Sequence, residues 1–119
     1  GGQMAPTSMP NQRTTTSPFG RDVEDVGMPI KVAELIASLQ TPAYIVRQAV
    51  LKPKHIVKAK KAIKQAFQYQ MDARCFSMVE LISTCPTNWG LTPVDAVKWA
   101  EDTMLPYYPL GEYKTPESS

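Results

Sequence analysis

Several features are scarce in this sequence, and each scarcity excludes a class of protein. The 119 residues include two cysteines, too few for a disulfide-stapled scaffold, so Cys75 and Cys85 are expected to be reduced thiols or metal ligands. No apolar run approaches the roughly 18 residues that a membrane-spanning helix needs, and the first residues lack the basic start and apolar stretch of a signal peptide. These absences predict a cytoplasmic protein with no membrane partner.

Net charge is also small, at +2. A molecule so close to balance has no overall field that would by itself indicate binding to nucleic acid or membrane, so only local charge is informative. The length allows one buried core. The first residue is not methionine, which makes Gly1 either a cloning remnant or the inside of a longer chain.

The amino-terminal quarter of the sequence predicts a long loop. Residues 1–27 hold four of the six glycines, three prolines and a run of hydroxyl residues, with no apolar period of 2 or 3.6 residues. Loops above roughly 15 residues are uncommon in compact domains and are usually functional or disordered. A terminus without structure is therefore the competing interpretation.

Helix-like and strand-like patterns alternate from residue 29 onward. Helices are predicted at 29–40, 54–71 and 93–104, and strands at 43–50 and 76–82. This order is typical of an α/β unit with parallel strands. Two strands make a poor sheet, so further strands are expected from residues that this chain lacks or from a partner.

Each predicted helix has a distinguishing feature. The first is apolar on most of its faces, with Pro29 in its first turn. The third begins with Thr92 as N-cap and Pro93 at its first position, and it is expected to stop before Pro106. The second carries a lysine-rich face opposite an apolar face formed by Ile56, Ala59, Ile63, Ala66 and Phe67.

Three stretches carry a family resemblance. They are GGQMAPTSMPNQRTTTSPFGRD at 1–22, STCPTNWGLTPVDAVKW at 83–99 and LPYYPLGEYK at 105–114. In sequence, order and spacing they resemble the β subunits of 2-oxoacid:ferredoxin oxidoreductases, particularly the 2-oxoglutarate and branched-chain 2-oxoacid branch. The resemblance covers nearly the whole chain and implies the carboxyl-terminal half of such a subunit.

The resemblance implies a fold and a reaction. Residues 1–27 would be a cofactor-proximal loop, and residues 28–119 the carboxyl-terminal α/β part of a thiamine-diphosphate-binding parallel-sheet domain, incomplete on its own. The complete enzyme would decarboxylate a 2-oxoacid oxidatively to an acyl-coenzyme A and reduce ferredoxin, while the isolated fragment is expected to be inactive. Its implied partners are an α subunit and other subunits of the complex, ferredoxin, coenzyme A and the 2-oxoacid substrate. No catalytic residue is assigned.

Thiamine diphosphate and Mg²⁺ are implied cofactors of the complete subunit. The family holds them through a Gly-Asp-Gly motif and a later Asn, and both lie outside this sequence, which begins within the glycine turn that follows the Asn. Such a turn lets the backbone approach a diphosphate closely. The resemblance places six residues of this chain beside the cofactor: Gly1, Gly2, Gln3, Thr14, Thr15 and Thr16. Solvated loop residues are the competing interpretation.

Two arginines and a cysteine complete the candidate site. Arg13 and Arg21 could pair with a substrate carboxylate, although surface arginines are common. Ser83-Thr84-Cys85-Pro86 resembles the turn that holds the fourth cysteine ligand of a proximal [4Fe–4S] cluster in the family. The other three ligands would come from the amino end of the complete subunit. A lone cysteine is otherwise commonly a small buried hydrophobic residue, which is our interpretation of Cys75.

A basic segment supports a different class of function. Six lysines fall within 13 residues: Lys52, Lys54, Lys58, Lys60, Lys61 and Lys64. The alternatives are a solvated helix face, and a docking face for acidic ferredoxin or coenzyme A phosphates. Nucleic acid is not favoured because no aromatic residues interleave with the lysines. A noncatalytic α/β interaction module with a basic helix face is therefore the alternative to the enzyme fragment.

Overall fold

The structure, a computed structural model, describes residues 7–72 and 74–118. The candidate residues Gly1, Gly2 and Gln3 lie outside the described residues. The helices are α1 (Val23–Val26), α2 (Val32–Ala37), α3 (Pro53–Met71), α4 (Pro86–Trp89), α5 (Pro93–Trp99) and α6 (Leu105–Tyr107), and the strands are β1 (Ala43–Ala49), β2 (Phe76–Ile82) and β3 (Gly111–Lys114). A π-helical turn, Ala100–Met104, joins α5 to α6, and Pro116–Ser118 forms a 3₁₀ turn.

The chain divides into two compact units. We call residues 1–31 with 84–107 the loop unit, and residues 32–83 with 108–119 the sheet unit. A helix long enough and apolar enough to span a lipid bilayer is absent from the described ranges. The functional division into 1–27 and 28–119 stays a prediction.

The sheet unit is built on three strands in the order β2-β1-β3. β1 and β2 pair in parallel over their full length, from Ala43 opposite Phe76 to Ala49 opposite Ile82, which confirms the predicted α/β class and parallel pair. β3 pairs antiparallel with β1 and makes the sheet mixed, so the prediction of a parallel-sheet domain holds for the β1–β2 pair and not for β3. At four residues, and beginning with Gly111, β3 is too short to show a strand period.

α3 covers one face of the sheet through small side chains. Ala59 and Ala62 are buried, and Ala62 packs with Tyr44 and Val46 of β1. Small alanine side chains let the helix approach the sheet closely. Ala59 and Ala62 therefore make the contact with the sheet that the predicted apolar face was expected to make with its larger side chains as well. The predicted apolar face is therefore only partly right, since Ile56, Ile63 and Phe67 of that face are exposed.

α2 is shorter and less covered than predicted. It spans six residues in place of the predicted 29–40, and Pro29 precedes it. Ala33 is its one buried residue, whereas Leu35 and Leu39 are 60% and 56% exposed. The sequence predicts a helix that is apolar on most of its faces, and only part of that apolar surface is buried among the described residues.

The loop unit contains the third predicted helix in an altered form. Thr92 caps it as predicted, because the Thr92 hydroxyl accepts a hydrogen bond from the Asp95 N–H at 3.2 Å. The predicted stop before Pro106 is wrong. The chain instead widens into the π-helical turn, where the Leu105 N–H donates to the Ala100 carbonyl, and α6 then includes Pro106. A proline cannot donate to the usual carbonyl one α-helical turn back.

Candidate functional site

The amino-terminal loop is structured in its described part. The Asn11 N–H donates to the Arg21 carbonyl at 2.9 Å, and the Gln12 N–H donates to the Met9 carbonyl at 3.0 Å. The buried Gln12 side chain completes this turn, since its Oε1 accepts from the Met9 N–H at 2.7 Å. These bonds argue against an unstructured terminus over this part of the chain.

The three candidate threonines lie in one tight turn. Thr14 and Ser17 exchange backbone hydrogen bonds of 3.2 and 3.1 Å, and the Thr14 hydroxyl also accepts from the Ser17 N–H. Thr14 is buried, whereas Thr15 and Thr16 at the tip of the turn are exposed. The Thr14 side chain therefore shapes the turn, and the next two threonines are the ones that face solvent.

A close backbone approach closes the loop. Asn11 has a φ of +61°, a left-handed conformation that is uncommon outside glycine. Gly20 has a φ of +95°, and a Cβ atom on Gly20 would lie 2.9 Å from the Asn11 carbonyl oxygen. The contact thus requires glycine at position 20. Strained backbone of this kind concentrates at functional sites.

The two candidate arginines have different environments. Arg21 donates to the Gly27 carbonyl through Nε at 2.9 Å and to the Ser8 hydroxyl at 3.2 Å, so its guanidinium ties the loop together. Arg13 is exposed and borders a cleft in the loop unit. Of the pair, Arg13 is the better placed to meet a ligand.

The cleft in the loop unit has a volume of about 360 Å³. Residues 10–13 form one wall, and Trp89, Leu91, Trp99 and Thr103 form the other. The two indole rings are in contact, with centroids 5.2 Å apart and planes inclined at 58°. Both tryptophans are half-buried. Sequence reasoning missed this cleft because the two walls are far apart along the chain.

Cys85 and Cys75 are free thiols in different units. Cys85 is half-buried at the N-cap of α4, where its carbonyl accepts from the Trp89 N–H at 3.0 Å and Pro86 begins the helix. Cys75 packs against the core cluster of Tyr44, Val46 and Ala62 in the sheet unit, in agreement with its structural interpretation. The described residues contain no group of three or more His, Cys, Asp or Glu side chains that could hold a metal. The assignment of Cys85 as a cluster ligand stays a prediction.

The sheet unit has a buried ion network that sequence reasoning did not identify. Arg47 of β1 is fully buried, and its guanidinium binds both carboxylate oxygens of Glu34 at 2.7 and 2.8 Å. Its Nε donates to Glu80 at 3.0 Å, and its Nη1 donates to the Tyr113 hydroxyl at 2.8 Å. Arg47 and Glu80 are register partners on β1 and β2. Arg47 is the one charged residue of β1 and Glu80 the one charged residue of β2, and this pattern is the signal that could have identified the pair.

The network is held in its charged form. The hydrogen bond from Arg47 holds the pKa of Glu34 at about 2, below its ordinary 4.5. Burial opposes the charge of Arg47, but its hydrogen bond to Glu34 and the nearby Glu80 carboxylate raise the pKa of Arg47 above its ordinary value. The ion pairs with Glu34 and Glu80 and the hydrogen bond to Tyr113 connect α2, β1, β2 and β3 through the Arg47 guanidinium. The cluster therefore stabilises the sheet unit.

All six lysines of the basic segment are exposed; five lie on α3, and Lys52 is its N-cap. Lys58 and Lys61 border a shallow cleft with Tyr44 and Glu112 of the sheet. Lys61 and Lys64 flank a second shallow cleft on the same helix. We call the surface formed by Lys58, Lys61 and Lys64 the basic face.

Comparison with known proteins identifies the family. No family model and no solved structure matches the chain. The chain is 38% identical over 114 residues to the ketoisovalerate oxidoreductase subunit VorA of Methanothermobacter marburgensis. The matched region covers 96% of this chain and 24% of that protein. It is 36% identical over 104 residues to the 2-oxoglutarate synthase subunit KorB of Archaeoglobus fulgidus. That matched region covers 87% of this chain and 34% of the KorB subunit. The chain belongs to the 2-oxoacid oxidoreductase subunits.

The chain spans about a quarter of the length of the VorA relatives and about a third of the length of the KorB relative. The resemblance found in the sequence is thereby confirmed. Because the relatives are named as oxidoreductase and synthase subunits, the comparison favours an enzyme fragment over the noncatalytic interaction module.

Proposed function

We propose that this chain is part of the thiamine-diphosphate-binding β subunit of a 2-oxoacid:ferredoxin oxidoreductase. The complete enzyme would convert a 2-oxoacid to an acyl-coenzyme A and pass two electrons to ferredoxin. The observation that supports this most is the similarity to VorA over 96% of the chain. An α subunit and further subunits of the complex are the proposed partners.

The loop residues would orient the cofactor and substrate. Thr15 and Thr16 are exposed at the tip of a turn fixed by Thr14 and Ser17, which would hold them in place beside the cofactor. Gly1, Gly2 and Gln3, which lie outside the described residues, would bind thiamine diphosphate. Bound thiamine diphosphate would supply the carbanion chemistry.

Cys85 would donate one thiolate to a [4Fe–4S] cluster. Its turn supports this role, because Pro86 limits the backbone that follows it and the thiol is half-buried without a disulfide partner. The cluster, when bound, would supply one-electron transfer towards ferredoxin. The access of solvent to an iron–sulfur cluster influences the reduction potential of that cluster.

The basic face would receive an acidic partner. Three exposed lysines on consecutive turns of α3 offer a field that steers an acidic protein such as ferredoxin, and coenzyme A phosphates are the alternative anionic ligand. The same face has no exposed aromatic residue among its lysines for stacking on nucleic acid bases.

Replacement of each cysteine in the complete subunit tests the proposal. Cys85→Ser should abolish the visible absorbance of the proximal cluster, because serine supplies no thiolate. Cys75→Ser is the matched control and should retain that absorbance, since Cys75 packs in the core. Equal retention of the cluster in both variants would remove Cys85 from the ligand set. Retention of 2-oxoacid-dependent ferredoxin reduction by the control variant would show that the preparation is active.

A further inference from the structure

The cleft of the loop unit has the composition of a small-molecule site. Its volume of about 360 Å³ lies within the roughly 300–1,000 Å³ that is typical of ligand pockets. Its far wall is apolar, with two indole rings and Leu91, and its near wall carries polar groups and Arg13. The described lining residues include one cation and no carboxylate. A mostly apolar surface with a few convergent polar groups is the usual design of such sites.

The backbone on both walls departs from regular geometry. Asn11 on the near wall is left-handed, at a φ of +61°. Thr103 on the far wall belongs to the π-helical turn Ala100–Met104. π-helical turns are rare and are frequently found at functional sites, and strained loop residues concentrate there as well. The left-handed backbone at Asn11 and the π-helical turn at Thr103 belong to separate segments, so they are two independent observations.

We propose that this cleft binds a planar aromatic ring that carries an anionic group. The rings of Trp89 and Trp99 are inclined at 58° to each other, and both half-buried residues line the cleft, where a third flat ring can pack against them. Arg13 at the border of the cleft can donate paired hydrogen bonds to a carboxylate or phosphate. Neither feature depends on the oxidoreductase function proposed above, which is tested at Cys85.

The two tryptophans of this sequence are both in the cleft, so they report on it directly. The 119-residue chain is labelled with 5-fluorotryptophan and observed by ¹⁹F NMR, with Trp89→Phe and Trp99→Phe assigning the two signals. The probe is 2-naphthoate, compared with neutral 2-naphthylmethanol and with acetate. We expect 2-naphthoate to shift both signals saturably, with a dissociation constant of roughly 1 mM. Acetate should leave both signals unchanged.

Charge removal separates ring stacking from ion pairing. Arg13→Gln should weaken 2-naphthoate binding about fivefold, which is the upper range for an exposed ion pair, and should leave 2-naphthylmethanol binding unchanged. Arg74→Gln, at an exposed arginine of the sheet unit, is the matched control and should have no effect. Non-saturable shifts, or equal affinities for the anionic and neutral probes, would overturn the proposal. The comparison of probes on the unaltered chain decides the outcome even if Arg13→Gln does not fold.

Discussion

Arg47 and Glu34 form a two-pronged ion pair in which each terminal guanidinium nitrogen donates to a different carboxylate oxygen, at 2.8 and 2.7 Å. The pair joins β1 to α2, and Arg47 reaches Glu80 on β2 from the same guanidinium. Because Arg47 is fully buried, its charge depends on both carboxylates for solvation. The sheet unit therefore has one residue whose loss affects three elements.

Replacement of Arg47 should destabilise the chain strongly. Arg47→Met keeps an apolar stem but leaves Glu34 and Glu80 without their partner, so we expect a loss of about 2–4 kcal/mol in the free energy of unfolding. Urea unfolding followed by far-ultraviolet circular dichroism measures this, at matched protein concentration because association adds to apparent stability. Arg74→Met breaks the exposed pair with Glu117 and should change little. Similar losses in both variants would contradict the anchoring role.

Stability should fall in acid through Glu34. Its pKa is about 2 in the folded chain and 4.5 as its ordinary value, so folding favours the ionised carboxylate. The stabilisation is complete above pH 4.5 and is lost progressively as the pH falls from 4.5 to about 2. Glu34→Gln should be less stable at pH 7 and should show a shallower decline across this window. Parallel decline of the urea midpoint in both proteins would refute the assignment, and Glu24→Gln on α1 is the control.

Gly20 should not tolerate a side chain. Gly20→Ala places a methyl group 2.9 Å from the Asn11 carbonyl oxygen at a φ of +95°, and we expect a cost of about 2–3 kcal/mol. Gly90 is the matched control, since it is left-handed at a φ of +68° but has no atom within 4 Å of the added methyl group. Gly90→Ala should cost about 1 kcal/mol. Tryptophan fluorescence during urea unfolding reports on the loop unit, and equal costs would show that the contact with Asn11 is unimportant.

The basic face should affect ferredoxin affinity in the complete enzyme. Lys58→Gln with Lys61→Gln should raise the KM for ferredoxin, by up to about fivefold for each exposed charge removed, with kcat unchanged. The effect should shrink at high ionic strength, where exposed charges are screened. Lys98→Gln on α5 removes an exposed lysine from the other unit and serves as the control. An unchanged KM would contradict the docking of ferredoxin on the basic face.

The isolated chain should associate with itself. Ile63, Phe67 and Met71 form an exposed apolar stripe at helical spacing, with Phe67 66% and Met71 81% exposed. Among the described strands, β2 has a hydrogen-bonded neighbour on one side only. Sedimentation velocity should detect concentration-dependent association, reduced by Phe67→Glu with Met71→Glu. A sharp monomer with a cooperative thermal transition would show that residues 28–119 close their own core, and the fragment account of the fold would be wrong.

Local signals in the sequence were sufficient for several elements. β2 was predicted with its observed bounds, and β1 and α3 each differ from prediction by one residue at one end. The Thr92 cap was also predicted, because its partner Asp95 is three residues away. Such features depend on neighbours within one turn or along one strand, so the residue pattern alone determines them. The family was inferred from the resemblance of three contiguous stretches to known proteins, which requires no tertiary structure.

Only the tertiary structure decided which residues meet across the chain. Arg47 is buried because Glu34, Glu80 and Tyr113 reach it from three other elements. β3 becomes a strand by pairing with β1, and its four residues carry no strand period of their own. The cleft likewise exists because residues 10–13 face Trp89 and Trp99. Each of these contacts joins residues far apart in sequence, and periodicity has no information about such pairs.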